Sequence, residues 1–394
     1  MTEYPQEPVA AIRQWLAQPS PDAWEDLSLI VASCTPEQVE YIVDYVQQHL
    51  QTWPREWCCI HTYSPELYWR LGKELHLTVQ DEDDLALYTE YIPLYPNIES
   101  LILTGYTGLC DMSFLEHLPQ IKHFTYIEPG LETFCPFEGV EVQPHNIDVF
   151  SRRTNMETIS LQCDLHGAYD IDIFTGNDQL RTLHVACARS FDTLDKLLDL
   201  KQLEELSLNK VLHLNNIDAL SSMKSLRRLV LSYFPDADQY LEQHNFFFTS
   251  IKEIPLFSGL ESLTLRGFRS LRSLEGVEAL RGLKSLRVDG YRIEHWEPLA
   301  KHKALEHLDV DINSVEDVER IDFPPQLASL TLSTGVHSQW ELTSELQWAS
   351  LARFAHIPSI ALHGFRVRGR PEPDLEHVRF LTNEREQNSI WRPF

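Results

Sequence analysis

The sequence predicts an α/β solenoid, in which short parallel strands from successive repeats form one curved sheet and helices or 3-10 turns return along its convex side. Two observations predict this fold class. A short apolar pattern recurs through most of the 394 residues, and a second apolar stripe follows many of its copies. Such periodicity is typical of solenoids, because a single repeat cannot bury its apolar face alone.

The repeated segment has apolar residues at its first, fourth and sixth positions, as Leu203, Leu206 and Leu208 do. Alternate residues of a strand point to opposite faces, so the fourth and sixth positions share one face. Most copies lie 22 to 24 residues apart, and longer steps indicate insertions. About 12 copies occupy residues 97–380, with their central apolar residues at positions 101, 124, 159, 183, 206, 229, 263, 286, 308, 330, 360 and 378.

The segments between copies carry apolar stripes of their own. Clear examples are residues 191–198 and residues 217–223. Because these stripes follow the strand segments, they predict the short helices or 3-10 turns of the convex side.

This pattern resembles the leucine-rich repeat family, in a bacterial cytoplasmic form, over about three quarters of the chain. The resemblance implies that an Asn after each strand ties neighbouring turns together. Only one Asn survives there, since the position holds Tyr106, Val211, Phe234, Phe268, Tyr291, Asn313 and Phe365 in different copies. Four copies read Gly–aromatic, so we expect rings packed inside and Gly permitting the turn. A row of exposed rings that captures a ligand is the alternative.

Residues 1–96 lack the repeat and predict a small all-α N-terminal domain that caps the array. Helices are expected over 8–16 and 22–31, and from the helix-start signals Thr35-Pro36 and Ser64-Pro65. The acidic run at 81–84 predicts a solvated loop, with a contact to a basic partner as the alternative. Residues 381–394 are expected to form a C-terminal cap or tail.

The formal net charge is −26, and it is concentrated in the first part of the chain, where residues 1–150 hold 24 acids against 5 bases. This field disfavours nucleic acid and anionic membranes and favours a basic protein partner. The alternative is that excess acid only keeps the protein soluble. The start of the chain has no signal-peptide pattern and no window is apolar enough to span a membrane. Seven scattered cysteines favour reduced thiols, so we expect the cytoplasm.

The sequence shows no catalytic motif, so neither an enzyme nor a bound cofactor or metal is expected. The 17 histidines show no zinc-site spacing with an acid. Cys58 and Cys59 are adjacent, with no neighbouring His or base in the sequence to activate them. Cys163 and Cys187 hold equivalent positions in successive repeats, which allows either a disulfide or two small, half-buried side chains.

The outward positions between residues 260 and 311 are the candidate partner-binding site. One predicted column across the strands reads Arg266, Asp289 and Asp311, and the next reads Thr264, Arg287 and Asp309. Tyr291 and His307 complete the predicted site. Arg and aromatic residues dominate many binding surfaces. The alternative is that opposite charges on adjacent strands satisfy one another.

An acidic solenoid whose sequence shows no catalytic motif predicts a protein-binding module. The first hypothesis is an inhibitor or immunity-type protein that binds a basic protein partner. The second is an intracellular scaffold or regulatory adaptor that links two proteins.

Overall fold

The structure is a computed structural model. It describes residues 8–32, 34–61, 71–79, 82–94, 97–105, 111–128, 146–164, 170–188, 191–211, 214–233, 248–256, 258–268, 270–289, 293–312, 315–334, 346–365, 367–368, 373–375 and 377–381. These residues form two compact units, one within Met1–Pro129 and Val140–Cys163 and the other within Asp164–Phe394.

The first unit begins with three helices, Pro8–Leu16, Pro21–Ala32 and Pro36–Leu50. Each starts with proline, which loses no hydrogen bond at this position because the first N–H groups of a helix have no partner in the helix. The helices predicted over 8–16, over 22–31 and from Thr35-Pro36 are therefore confirmed. Buried apolar residues on their packed faces include Ile12, Leu27 and Val46.

Five parallel strands follow in the first unit, and each pairs with the next along the chain. They are β1 (Cys59–His61), β2 (Glu74–Val79), β3 (Ser100–Gly105), β4 (His123–Ile127) and β5 (Thr158–Asp164). The connecting segments include the helices Glu82–Tyr91 and Val149–Arg152 and the 3-10 helices Arg55–Trp57, Ile92–Leu94 and Met112–His117. The central apolar residues pair in register and are fully buried, namely Leu75, Leu101, Phe124 and Ile159.

The prediction that residues 1–96 are all helical is wrong, since β1 and β2 lie within them and extend the parallel sheet of this unit. The repeat in β2 was missed because Gly72 stands where other copies have a leading apolar residue. A Cβ on Gly72 would lie 2.1 Å from the Cδ1 atom of Ile60, so a larger residue there would require the Ile60 side chain to shift.

The helices are joined to the first two strands by side-chain hydrogen bonds. The indole Nε1 of Trp24 donates to the carbonyl of Cys59 at 2.9 Å. The Lys73 ammonium donates to the carbonyls of Leu50 at 2.5 Å and Trp53 at 2.8 Å, at the end of the helix Pro36–Leu50. Such bonds satisfy carbonyls that a helix end leaves without a helical partner. These bonds connect the N-terminal helices to β1 and to the residue that precedes β2.

The acidic run at 81–84 was predicted to be a loop, and this is wrong for its described residues. Glu82, Asp83 and Asp84 form the first turn of the helix Glu82–Tyr91. Acidic residues suit this position because the N-terminal end of a helix carries partial positive charge.

The second unit contains nine described strands that pair in parallel, in chain order within one sheet. They are β6 (Thr182–Cys187), β7 (Glu205–Asn209), β8 (Arg228–Ser232), β9 (Ser262–Arg266), β10 (Ser285–Asp289), β11 (His307–Ile312), β12 (Ser329–Thr334), β14 (Ser359–His363) and β16 (Val378–Leu381). Two short strands, β13 (Leu346–Gln347) and β15 (Val367–Arg368), form a separate pair. The predicted central positions pair directly from 183 to 378, which confirms the repeat register.

Short helices and 3-10 helices connect these strands, as the apolar stripes predicted. The 3-10 helix Asp195–Asp199 overlaps the end of the segment 191–198, and the 3-10 helix Asp218–Ser222 lies within the segment 217–223. Further connections include the 3-10 helices Ile171–Phe174, Ile251–Glu253, Val277–Ala279, Ala352–Phe354 and Pro373–Leu375 and the helices Glu297–Ala300, Val315–Arg320 and Trp348–Leu351. None of the described helices combines the length and apolar character that crossing a membrane requires.

A Gly–aromatic turn follows β9, and here the ring packs inside as expected. Phe268 is buried, with its ring centroid 4.7 Å from that of Phe248 and 6.2 Å from that of Tyr233. Gly267 has φ +75°, and a Cβ on it would lie 1.7 Å from the carbonyl oxygen of Tyr233. Val211 is also buried and Phe365 is half-buried.

Several predictions lie outside the described residues. They are the helix expected from Ser64-Pro65, the nature of residues 382–394, and the placement of Tyr106, Phe234, Tyr291 and Asn313.

We predict that Gly267→Ala lowers the free energy of unfolding by about 1–3 kcal/mol, because a positive φ is strained for alanine and the methyl group displaces the neighbouring carbonyl. Thermal unfolding followed by circular dichroism measures the effect. Lys303→Ala, at an exposed position of the same unit, is the control and should leave Tm unchanged. Equal Tm values for both variants would contradict the turn geometry.

Candidate functional site

The predicted partner-binding residues lie on β9, β10 and β11 or next to them. Leu263 and Leu265 of β9 are buried, and Thr264 and Arg266 alternate with them on the opposite face, where Thr264 is also buried and Arg266 is half-buried. The same alternation applies to the two following strands. Their outward positions carry Arg287, Asp289, Asp309 and Asp311.

The structure brings four of these side chains into one network, which we call the charged network: Arg266, Arg287, Asp289 and Asp309. The Nε atom of Arg266 lies 2.8 Å from Oδ2 of Asp289, its register partner on β10. The Nε atom of Arg287 lies 3.3 Å from Oδ1 of Asp289 and 3.5 Å from Oδ2 of Asp309, its register partner on β11. Asp289 thus accepts from two guanidinium groups.

These charges are substantially shielded from water, since the side chains of the charged network are only 14–23% exposed. Burial by itself disfavours a charged guanidinium, but Asp289 and Asp309 outweigh it and raise the pKa of Arg287. Burial also disfavours the Asp289 carboxylate, yet Arg287 and Arg266 hold its pKa below the ordinary value. Arg287 and Asp289 therefore stay ionised near neutral pH.

The other predicted site residues are placed differently. His307 pairs in register with Ser285, and its Nδ1 lies 2.8 Å from the hydroxyl of Ser329. Its side chain is 52% exposed. Asp311 is half-buried and contributes to raising the pKa of Arg287. Tyr291 lies outside the described residues.

The sequence left two interpretations of this face, mutual satisfaction of the charges and recognition of a partner. The distances confirm that the charges pair across strands. Pairing does not remove the binding interpretation, because each carboxylate can accept further hydrogen bonds.

A second group of polar side chains lies on β1, β2 and β3 in the first unit, and we call Cys59, Glu74 and His76 the Cys–Glu–His cluster. The Cys59 thiol is 3.2 Å from Oε1 of Glu74, and Nε2 of His76 is 2.9 Å from the same oxygen. The Ser100 hydroxyl donates to Oε2 of Glu74 at 2.8 Å. The Arg55 Nε atom lies 3.9 Å from Oε2.

The electrostatics of this cluster are set mainly by burial and by hydrogen bonds to Glu74. Burial opposes the carboxylate, but hydrogen bonds from His76, Ser100 and Cys59 outweigh it and lower the pKa of Glu74 to about 2. Burial and the charge of Glu74 raise the pKa of the Cys59 thiol to about 12. The thiol is therefore protonated and the carboxylate ionised at neutral pH.

Sequence reasoning missed this cluster. Cys59 has no His or base beside it in the sequence, but the structure places Glu74, its register partner on β2, and His76, two residues further along that strand, near its thiol. They do not activate the thiol, as expected, since burial and the charge of Glu74 raise its pKa to about 12. The only available signal was the alternation Glu74-Leu75-His76, which places the two polar residues on one face. This alternation predicts the cluster only if residues 74–79 are first recognised as a strand.

The remaining cysteine predictions are only partly tested. Cys58 is buried, and burial raises the pKa of its thiol to about 11, in keeping with an unreactive residue. Cys163 is fully buried, whereas the side chain of Cys187 is not among those described. The choice between a disulfide and two small side chains therefore stays a prediction.

The chain is similar to solved leucine-rich repeat structures. A leucine-rich repeat protein of Leptospira interrogans is 15% identical with a TM-score of 0.43, over 81% of this chain and 74% of its own. Internalin C2 of Listeria monocytogenes is 12% identical with a TM-score of 0.30, over 60% and 90% respectively. InlP of Listeria monocytogenes is 14% identical with a TM-score of 0.37, over 68% and 66%.

No family model and no curated protein matches the sequence. The strand register and the buried apolar columns are sufficient to identify the leucine-rich repeat fold in each unit.

We predict that Asp289→Asn lowers the free energy of unfolding by about 1–3 kcal/mol at pH 7, because it leaves two shielded arginines without their shared carboxylate. The lowered pKa of Asp289 means that its contribution is fully present above the ordinary value of 3.8 and is lost as pH falls through the folded value.

Denaturant unfolding at a series of pH values measures this difference between the native protein and Asp289→Asn. The difference should be largest near neutral pH and shrink below about pH 4. A difference that stays constant from neutral to acidic pH would contradict the assigned ion pairs.

Proposed function

We propose that this chain is a non-enzymatic protein-binding module whose partner docks on the outward face of β9, β10 and β11. The charged network carries the proposal. Its two arginines are held by carboxylates on neighbouring strands, so they lose little rotamer freedom when a partner binds. Arginine in a preorganised, largely shielded position is typical of residues that contribute most to binding.

The partner that best fits this chain is a basic protein. The formal net charge is −26, and a field of that sign accelerates encounter with a positively charged surface. On the proposed face the acids exceed the bases. Together with Asp311 there are three aspartates and two arginines. An inhibitor or immunity-type protein that covers a basic partner is the function that combines these features. Its proposed compartment is the cytoplasm, where scattered thiols stay reduced.

We predict that the double variant Arg287→Ala, Asp309→Ala weakens binding of the true partner by more than about 30-fold, which corresponds to about 2 kcal/mol. The matched control is Lys252→Ala, Glu275→Ala. That pair is also an ion pair in the second unit, at 2.7 Å, but both side chains are more than half exposed and lie on the segments before and after β9. Both double variants preserve the net charge.

The experiment captures partners from the native host with the full-length chain and measures affinity by calorimetry or surface plasmon resonance. Full retention of affinity in the Arg287, Asp309 variant would remove this face as the binding site. Equal losses of affinity in the two double variants would mean that the effect is not specific to the proposed face. An association rate independent of salt would count against a basic partner.

A scaffold or adaptor is the second candidate, and the distribution of charge favours it. Most of the acidic excess lies in residues 1–150, with 24 acids against 5 bases, whereas the charged network belongs to the second unit. Two partners would then bind different surfaces. In that case the Arg287, Asp309 variant should lose one captured protein and keep another, while an inhibitor should lose its single partner.

A further inference from the structure

The Cys–Glu–His cluster brings together three kinds of side chain that ligate metal ions. One donor atom from each residue, the thiol sulfur, a carboxylate oxygen and an imidazole nitrogen, lies within 4.8 Å of the other two. We propose that Cys59, Glu74 and His76 form a binding site for a transition-metal dication, with Zn²⁺ as the best-matched ion. The proposal does not depend on the protein-binding function.

The donor spacing is close to what a metal ion requires. Tetrahedral Zn²⁺ has bonds of about 2.0–2.3 Å, which places neighbouring ligand atoms about 3.3–3.6 Å apart. Here the Cys59 sulfur lies 3.2 Å, and the His76 Nε2 atom 2.9 Å, from Oε1 of Glu74. Shifts of a few tenths of an ångström in these two separations would admit the ion. The Cys59 sulfur and the His76 imidazole nitrogen lie up to 4.8 Å apart, and they would also have to move closer together.

The strands hold two of the ligands in place before any ion binds. Cys59 and Glu74 are register partners on adjacent parallel strands, and His76 follows Glu74 by two residues on the same face. Glu74 is nearly buried, and the Ser100 hydroxyl fixes its Oε2 oxygen at 2.8 Å, which leaves Oε1 directed at the other two donors. Such support from a neighbouring group is a regular feature of metal sites.

The donor set selects the class of ion. A thiolate and an imidazole favour Zn²⁺ and related transition-metal ions over Mg²⁺ and Ca²⁺, which prefer oxygen ligands. On binding, the S–H bond of Cys59 breaks, its proton goes to solvent, and a sulfur–metal bond forms. Three protein ligands leave a fourth position of a tetrahedral ion to water.

Two features of the cluster oppose the ion. The guanidinium of Arg55 lies 3.9 Å from Oε2 of Glu74, and its charge repels a cation. Cys59 and His76 also each hydrogen bond to Glu74, so the apo cluster is satisfied without a metal. Arg55 approaches the carboxylate oxygen that Ser100 occupies rather than the shared Oε1. The Arg55→Ala variant removes this positive charge. It should therefore strengthen metal binding and leave the ligands unchanged.

The test is a titration of the full-length, reduced and metal-free chain with Co²⁺ and then Zn²⁺. Co²⁺ reports sulfur ligation by its thiolate charge-transfer absorption, and displacement by Zn²⁺ gives the Zn²⁺ affinity. We expect one equivalent to bind with this absorption. Cys59→Ser should abolish the absorption and weaken Zn²⁺ at least about tenfold, and His76→Ala should also weaken it at least about tenfold.

Cys34→Ser is the matched control, because Cys34 is a half-buried thiol of the same unit that donates to the Ile30 carbonyl and lies outside the cluster. It should leave both the absorption and the affinity unchanged. The proposal fails if the native chain shows no thiolate–Co²⁺ absorption, or if Cys59→Ser binds as tightly as Cys34→Ser. Because serine is nearly isosteric with cysteine, the Cys59 variant should fold, and circular dichroism checks this.

Discussion

The alternation of buried apolar and outward polar residues along each short strand is the constraint on which the rest of the structure depends. A single strand of five or six residues buries too little apolar surface to be stable, so its leucines must stack on those of the neighbouring repeats. Leu206 pairs with Leu229, and Leu229 pairs with Leu263. A shift of one residue would turn every leucine of a strand towards solvent, and the register is therefore strongly fixed.

The same register decides which polar side chains meet on the outward face. Arg266 lies beside Asp289 because Leu265 and Val288 stack behind them. Partial shielding makes isolated charges costly, and opposite charges on adjacent strands offset that cost. The result is a face whose arginines are held by carboxylates, Arg266 by Asp289 and Arg287 by Asp289 and Asp309. In the first unit the register places Cys59 beside Glu74, where it produces a different chemistry.

The sequence was sufficient to predict the repeat, its register from residue 101 onward and the 3-10 connections, because each depends on local apolar spacing. It was insufficient where a copy departs from the spacing. Gly72 holds the first apolar position of the repeat that contains β2, so the pattern did not predict that strand. The contact of Cys59 with Glu74 could therefore not be predicted either. The charged columns were predicted as neighbours, but their pairing distances depend on rotamers that no spacing rule determines. Tyr291 was predicted on the same face and stays a prediction.

The central claim is that register-fixed pairs across β9, β10 and β11 build the outward face. A double-mutant cycle between Arg266 and Asp289 tests it most directly, with alanine at each position alone and together, and denaturant unfolding as the measurement. The account predicts a coupling energy of about 1 kcal/mol or more for this pair. It also predicts a smaller coupling for Arg266 with Asp309, which lies one strand further away and is linked to Arg266 only through Asp289 and Arg287. Equal couplings, or none for Arg266 with Asp289, would contradict the assigned register.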